Sequence, residues 1–249
     1  EITDSINYAE RIQRSFLASK ELLNENLKDH FVFFKPKDIV SGDFYFAEKL
    51  NNKSFLLATA DSTGHGVPGA IMSLLNITSL EKAIENQDQP SDILNTTRKI
   101  IIERLKKDGS AEGGKDGMDC SVICFDFKKK KIIVSAANNP VWIVRGSETI
   151  EIKPDKMPVG KHDKQDVSFT QQTIDIKKGD VIYTLTDGFS DQFGGSLGKK
   201  FMSKKLRELL SKNAHLPMEE QRSILENTFI SWVGDLEQID DVTLIGVRV

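Results

Sequence analysis

Cysteine is scarce in this chain of 249 residues, which has only two. Cys120 and Cys124 lie four positions apart on one predicted strand, a spacing unsuited to a structural disulfide. Both are therefore expected to be free cysteines packed in the core, and this favours a reducing compartment. A cysteine-dependent phosphatase would need an arginine six positions after its cysteine, where this chain has Asp126 and Lys130. The sequence therefore does not support a cysteine-dependent phosphatase.

Long apolar runs and a strong charge excess are also missing. No run approaches the ~20 residues of a membrane helix, and a net charge of −3 gives no reason to expect nucleic-acid binding. The H-E-x-x-H and Walker A strings are absent as well. No signal peptide opens the chain. The cysteine usage favours a reducing setting, so we expect a cytoplasmic protein or the cytoplasmic part of a larger sensor. The start at Glu1 is compatible with a fragment of a longer protein.

One motif organises the rest of the chain, and it occupies residues 60–70, Ala-Asp-Ser-Thr-Gly-His-Gly-Val-Pro-Gly-Ala. A buried-strand pattern enters it and a helical pattern leaves it, so Asp61 stands at the carboxyl end of a strand. Residues 64–69 match G-x-G-x-x-G, but a second helical pattern follows where a dinucleotide fold needs a strand. We interpret the motif as a metal-holding corner.

The order of predicted elements favours antiparallel sheets covered by helix pairs. Residues 2–27 read as one long helix. The other predicted helices cover 67–86, 91–107, 200–211 and 217–232, and residues 110–118 and 187–198 are predicted loops. Strand patterns occur at 31–35, 43–49, 54–60, 119–127, 131–137, 140–145, 148–152, 166–173, 180–186 and 241–249. Two helix pairs would cover the outer faces of a sandwich.

The N-terminal helix has an apolar stripe with charges opposite, which leaves several interpretations open. It packs on the domain, transmits a signal from an upstream sensor, or forms a homodimer seam, and these roles are compatible. We divide the chain into a regulatory or linker helix at 1–27 and a catalytic domain at 28–249. A shift of this helix against the helix near Val67 would gate metal binding.

Four aspartates stand at strand ends: Asp43, Asp61, Asp187 and Asp240. A single aspartate in such a place is more often a turn or cap residue. Four of them gathered at one sheet edge would repel one another unless divalent cations were bound. An all-oxygen, cysteine-free ligand set suits Mg²⁺ or Mn²⁺, and two such ions can polarise a phosphoryl oxygen and activate water.

The strings around these aspartates resemble the SpoIIE-type (RsbU-like) branch of the metal-dependent PPM serine/threonine phosphatases. The resemblance covers about residues 28–249 and implies an α-β-β-α sandwich of two antiparallel sheets. It also implies hydrolysis of phosphoserine or phosphothreonine on a protein, usually an anti-sigma-factor antagonist, under an upstream sensory or receiver module. The matching segments are 36–45, 60–70, Thr186-Asp187-Gly188-Phe189 and Asp240-Asp241-Val242-Thr243.

The resemblance also implies roles for individual residues. Asp61 would bridge two Mn²⁺ or Mg²⁺ ions, with Asp43 and the Ser62 carbonyl on one ion and Asp187 and Asp240 on the other. A metal-bridging hydroxide would attack phosphorus, which makes Asp61 and Asp187 the catalytic residues. Residues 63–66 would shape the opening of the active site, and Gly64 and His65 would contact the substrate. His65 either donates a proton to the leaving oxygen or hydrogen-bonds its own turn, the commoner role for a loop histidine.

Several positions depart from the family pattern. Ser62 follows the bridging aspartate where type 2C relatives have glycine, and Ser41 replaces another glycine. No arginine occurs between Arg14 and Arg98 to hold phosphate, so Lys37 or Lys35 would substitute. Asp119 is either a further metal ligand or a structural loop residue. These departures keep one alternative open: a catalytically weak or inactive module of the same fold that acts by protein binding.

Overall fold

A computed structural model describes residues 1–108 and 115–249 and shows two antiparallel sheets between helices. The helices are α1 (Ile2–Phe16), α2 (Lys20–Asn26), α3 (Gly66–Ala83), α4 (Pro90–Leu105), α5 (Gly188–Asp191), α6 (Ser203–Asn213) and α7 (Met218–Val233), with a 3₁₀ turn at Lys106–Asp108. The strands are β1 (Asp29–Lys35), β2 (Asp43–Lys49), β3 (Phe55–Ser62), β4 (Gly117–Asp126), β5 (Lys131–Ala137), β6 (Val141–Arg145), β7 (Glu148–Ile152), β8 (Val159–Gly160), β9 (Gln172–Asp175), β10 (Val181–Leu185), β11 (Phe193–Gly194), β12 (Lys199–Lys200) and β13 (Val242–Arg248).

The strands form two large sheets and one short hairpin. The first sheet has the order β2-β3-β4-β5-β9, with β8 paired to β4, and the second has the order β1-β13-β10-β6-β7. The hairpin joins β11 and β12. In the described residues no helix is both long and apolar enough to cross a bilayer.

Side-chain alternation along the strands divides the core into three layers. On β3, Leu56, Ala58 and Ala60 pack against α3 and α4, while Phe55 and Leu57 face the other sheet. The outer face of the second sheet packs on α6 and α7, for instance through Phe33 and Phe229. The expected α-β-β-α sandwich is therefore confirmed.

The N-terminal helix differs from its prediction because it is broken into α1 and α2. Leu17 is extended, the Ala18 N–H donates to the Tyr45 carbonyl, and the Ser19 side chain caps α2 by accepting from the Leu22 N–H. Leu23 and Leu27 are buried in the layer between the sheets. The functional division at residue 27 stays a prediction.

Two other predicted segments need correction. The strand predicted at 166–173 begins only at Gln172, because side chains bind the backbone before it: Phe169 N–H donates to Asn95 and Thr170 N–H to Asp155. The loop predicted at 187–198 contains α5 and β11. Of the loop predicted at 110–118, residues 110–114 lie outside the described residues, and β4 starts at Gly117.

Candidate active site

Three aspartates form a row across the first sheet, on the face that meets the second sheet. Asp43 on β2 is the direct partner of Asp61 on β3, and Asp61 is the partner of Asp119 on β4. Directly opposed residues of antiparallel strands project to the same side. The row therefore lies at one end of the space between the two sheets.

The second sheet brings two more aspartates to the same end. Asp187 follows β10 and Asp240 precedes β13, which are neighbouring antiparallel strands. Carboxylate oxygens of Asp61, Asp187 and Asp240 all lie within 4.8 Å of one another. The predicted convergence of these three residues is thus observed, and their roles as metal ligands stay predictions.

Asp43 lies deeper than this group of three and is completely buried. Its Oδ2 accepts hydrogen bonds from the hydroxyls of Thr186 and Thr243 at 2.7 and 2.8 Å. Its Oδ1 is buried without a hydrogen-bond partner among the described residues, and the same holds for Asp187 Oδ1. Buried carboxylate oxygens normally have partners, so both atoms are suited to an additional ligand.

Burial and mutual repulsion make the ionised state of these carboxyls unfavourable without a cation. Burial, followed by the charges of Asp43 and Asp187, raises the pKa of Asp61 far above its ordinary value. Burial also raises the pKa of Asp43 and of Asp187. For Asp240, burial is again the main cause and raises the pKa to about 6. A bound divalent cation would reverse these shifts.

A glycine corner lets the backbone close over the acidic residues. A Cβ at Gly42 would lie 2.5 Å from the Gly64 carbonyl oxygen, and one at Gly69 would lie 2.6 Å from the same atom. Gly64 itself has φ of +86°, a conformation that favours glycine. The three glycines therefore fix the turn around residues 62–66.

Ser62 is held by a buried network that sequence reasoning did not find. Its hydroxyl accepts from Asn76 Nδ2 at 2.9 Å, and its N–H donates to the Gly42 carbonyl. Asn76 Nδ2 also donates to the Gly117 carbonyl at 3.2 Å, and the same carbonyl accepts the Thr63 N–H at 2.9 Å. The Ser62 carbonyl, a predicted ligand, therefore belongs to a rigidly connected segment.

Asp241 is a second residue that was missed as a separate element of the site. It is buried, and its carboxylate accepts the backbone N–H groups of Lys37 and Gly42, each at 2.8 Å. These bonds tie the segment before β2 to the start of β13. The sequence signal for this second role was the pair of adjacent aspartates. Successive residues of an extended segment point in opposite directions, so the two side chains could not both face the same group of carboxylates.

The acidic group opens into a cavity of about 330 Å³ whose lining includes Gly64, His65, Lys115, Asp119 and Asp240. Lys115 is an exposed lysine that was not predicted for the site. Lys37 is not among the described residues that line this cavity. His65 Nδ1 lies 3.5 Å from Asp38 Oδ2, and Asn138 Nδ2 donates to Asp119. Substrate contacts by Lys37, Gly64 and His65 stay predictions.

The first helix reaches the site through a single buried side chain, Gln13. Its Nε2 donates to the Ser41 carbonyl and to Ser73 Oγ on α3, and its Oε1 accepts the Ser41 N–H. The Ser41 hydroxyl in turn accepts the Asp43 N–H at 3.0 Å. Ser41 thus connects Gln13 of α1 to Asp43, a predicted ligand.

Comparison with known proteins identifies the family. The family model described as "Stage II sporulation protein E (SpoIIE)" matches residues 51–249. The chain belongs to the SpoIIE family. The expected membership in the SpoIIE-type branch of the PPM phosphatases is confirmed, and the chain is a phosphatase of that class.

Individual proteins similar to this SpoIIE-family chain support the same assignment. Phosphoserine phosphatase RsbU of Bacillus subtilis is 23% identical over the whole chain, which covers 71% of RsbU. Protein IcfG of Synechocystis is 26% identical over 99% of the chain, which spans only 42% of IcfG. The structure of the SiaA-PP2C domain of Pseudomonas aeruginosa superposes with a TM-score of 0.89 at 30% identity, covering 100% of this chain and 97% of that one.

Proposed function

We propose that the chain removes phosphate from phosphoserine or phosphothreonine of a signalling protein in the cytoplasm, using two Mn²⁺ or Mg²⁺ ions. The observation that carries the proposal is the group formed by Asp61, Asp187 and Asp240 within 4.8 Å, drawn from both sheets of a SpoIIE-family fold. RsbU bears the name of a phosphoserine phosphatase. A small anti-sigma-factor antagonist is the substrate class we favour.

The residues fit divalent cations. The donors are all oxygens, which suits Mg²⁺ or Mn²⁺, and the buried oxygens of Asp43 and Asp187 lack partners. Asp61 lies between Asp43 in its own sheet and Asp187 and Asp240 of the other, the position expected of a shared ligand. When bound, such ions supply Lewis-acid polarisation of phosphoryl oxygens and a water-derived nucleophile at neutral pH.

The chain's own residues would receive and orient the phosphate. The acidic group repels a phosphate dianion unless cations neutralise it, and a positive side chain at the rim would add to the attraction. Lys115 provides one in the cavity lining, as a point charge rather than a bidentate clamp. His65 lines the same cavity and would donate a proton to the serine oxygen as water replaces it on phosphorus.

We also propose that α1 regulates this site. The Gln13–Ser41–Asp43 connection would move a ligand if α1 shifted, and α1 contacts α3 as well. Ile2, Tyr8 and Ile12 on α1 are exposed, with 42–79% of their surface accessible. An upstream sensor or receiver module, or a second copy of the chain, would cover them.

Hydrolysis of p-nitrophenyl phosphate and of a phosphoserine peptide tests the proposal. We expect Mn²⁺-dependent activity that Asp61→Asn and Asp187→Asn abolish, while Asp92→Asn, an exposed helix position, leaves it unchanged. Wild-type activity in Asp187→Asn would refute the assignment.

The alternative is a catalytically weak or inactive module that binds proteins. The departures at Ser41 and Ser62 and the missing arginine motivate it. Calorimetric titration with Mn²⁺ separates the two functions, because a module that has lost catalysis should not bind the ion near neutral pH. The preserved acidic group favours the enzyme.

A further inference from the structure

The two oxygens of Asp43 have different surroundings. Oδ2 accepts hydrogen bonds from Thr186 Oγ1 and Thr243 Oγ1, which belong to the opposite sheet. Oδ1 is buried and has no partner among the described residues. The carboxylate is thus held at one oxygen by hydroxyls from the second sheet and left open at the other.

The hydrogen-bond directions show that both hydroxyls are donors to Asp43. The Thr243 N–H donates to Thr186 Oγ1 at 3.1 Å, and the Thr186 hydroxyl donates to Asp43 Oδ2 at 2.7 Å, with the Thr243 carbonyl a longer second acceptor at 3.4 Å. The Thr186 N–H donates to the Thr243 carbonyl at 3.0 Å, which fixes the two residues side by side. The pair forms a rigid two-donor cradle for one oxygen.

We propose that Thr186 and Thr243 are positioning residues that occupy Oδ2 of Asp43, so that Asp43 offers a divalent cation a single oxygen, Oδ1. The inference rests on the proposed function, because it needs the cation. Thr186 directly precedes Asp187, and Thr243 follows Asp240 by three residues. Each motif of the second sheet therefore supplies one ligand of its own and one hydroxyl that orients the ligand of the first sheet.

Thr243→Val is the sharper substitution. It removes one donor to Oδ2 at nearly constant volume, whereas Thr186→Val also deprives the Thr243 N–H of its acceptor. Thr243→Ser keeps the hydroxyl. Thr184→Val is a matched control, because Thr184 is a buried residue of the same sheet whose hydroxyl bonds Thr59 and Ser121 instead.

The experiment is calorimetric titration of the whole chain with Mn²⁺, with thermal unfolding as a check on folding. We expect Thr243→Val to weaken Mn²⁺ binding by about 10- to 100-fold, as loss of a residue that orients a metal ligand typically does. Thr243→Ser and Thr184→Val should bind like the wild type. Thr186→Val is the second variant should Thr243→Val not fold, with the same weakening expected.

The outcomes separate this inference from the proposed function. If the wild type binds Mn²⁺ and the folded threonine-to-valine variant binds it equally well, the inference alone is overturned. Equal weakening by Thr184→Val would overturn it too, since the effect would then be general to buried threonines. A wild type that binds no Mn²⁺ overturns the proposed function and this inference together.

Discussion

Gln13 and Ser41 are joined by two hydrogen bonds in opposite directions, from Gln13 Nε2 to the Ser41 carbonyl at 2.5 Å and from the Ser41 N–H to Gln13 Oε1 at 2.9 Å. Gln13 is 6% exposed on a helix whose other apolar and charged side chains largely face solvent. The helix therefore holds the segment before Asp43 through one side chain.

The first prediction concerns this contact. Gln13→Ala leaves the buried Ser41 backbone groups without partners, which frees the Ser41–Asp43 segment. We expect the Mn²⁺ concentration for half-maximal activity to change at least about threefold, with Arg14→Ala, at an exposed position, as the control. Deletion of residues 1–20 should change it in the same direction. An unchanged metal requirement in both variants would remove the regulatory proposal.

The second prediction concerns phosphate recognition. Lys115→Met removes the cation from the cavity lining, so KM for aryl phosphate should rise by about tenfold while calorimetric Mn²⁺ affinity stays unchanged. Lys115→Arg should recover most of the loss. Lys37→Met is the comparison, because Lys37 bonds Asp241 through its backbone N–H, which this substitution keeps. A larger effect at Lys37 than at Lys115 would restore the prediction made from the sequence.

The third prediction concerns pH. The pKa of Asp240 is raised to about 6 in the folded chain, so between about pH 4 and 6 the folded state binds more protons than the unfolded state. In the metal-free protein the contribution of Asp240 to the free energy of unfolding should therefore fall as pH rises through this window. Asp240→Asn should stabilise the metal-free protein at pH 7 by about 1 kcal/mol, or about 2–4 °C in Tm, since solvent screens this half-buried group.

Thermal unfolding in a chelator at pH 4.5 and pH 7 measures this effect. The variant and the wild type should unfold at similar temperatures at the lower pH and diverge at the higher one. Added Mn²⁺ should stabilise the wild type more than the variant. A metal-free wild type that gains stability from pH 4.5 to 7 relative to Asp240→Asn would contradict the prediction.

The fourth prediction concerns the glycine corner. Gly69→Ala places a methyl group 2.6 Å from the Gly64 carbonyl oxygen and 3.1 Å from the Gly42 Cα. We expect a loss of about 1–3 kcal/mol of stability and weaker Mn²⁺ binding, because residues 62–64 must shift. Gly69 lies in α3 and is not among the glycines with positive φ, so this loss would come from the close contact and not from backbone strain. Full stability and Mn²⁺ affinity in Gly69→Ala would show that the corner is not constrained.

Local patterns predicted the gathering of the acidic residues because strand ends follow from hydrophobic periodicity. Asp61, Asp187 and Asp240 each adjoin an apolar run, and antiparallel order brings such ends together. Hydrophobic periodicity could not predict contacts between residues far apart in the sequence. The break at Leu17 depends on the Tyr45 carbonyl, and the irregular backbone at Phe169 depends on Asn95. The adjacent pair Asp240-Asp241 indicates that the two side chains diverge, but which of them is buried depends on the register of β13.

A crystal structure of the chain grown with Mn²⁺, with anomalous scattering recorded at the manganese edge, tests the central claim most directly. The account predicts anomalous peaks between the carboxylates of Asp61, Asp187 and Asp240, one of them within bonding distance of Asp43 Oδ1. Saturating Mn²⁺ with no peak at these residues, or with peaks only elsewhere on the molecule, would contradict it.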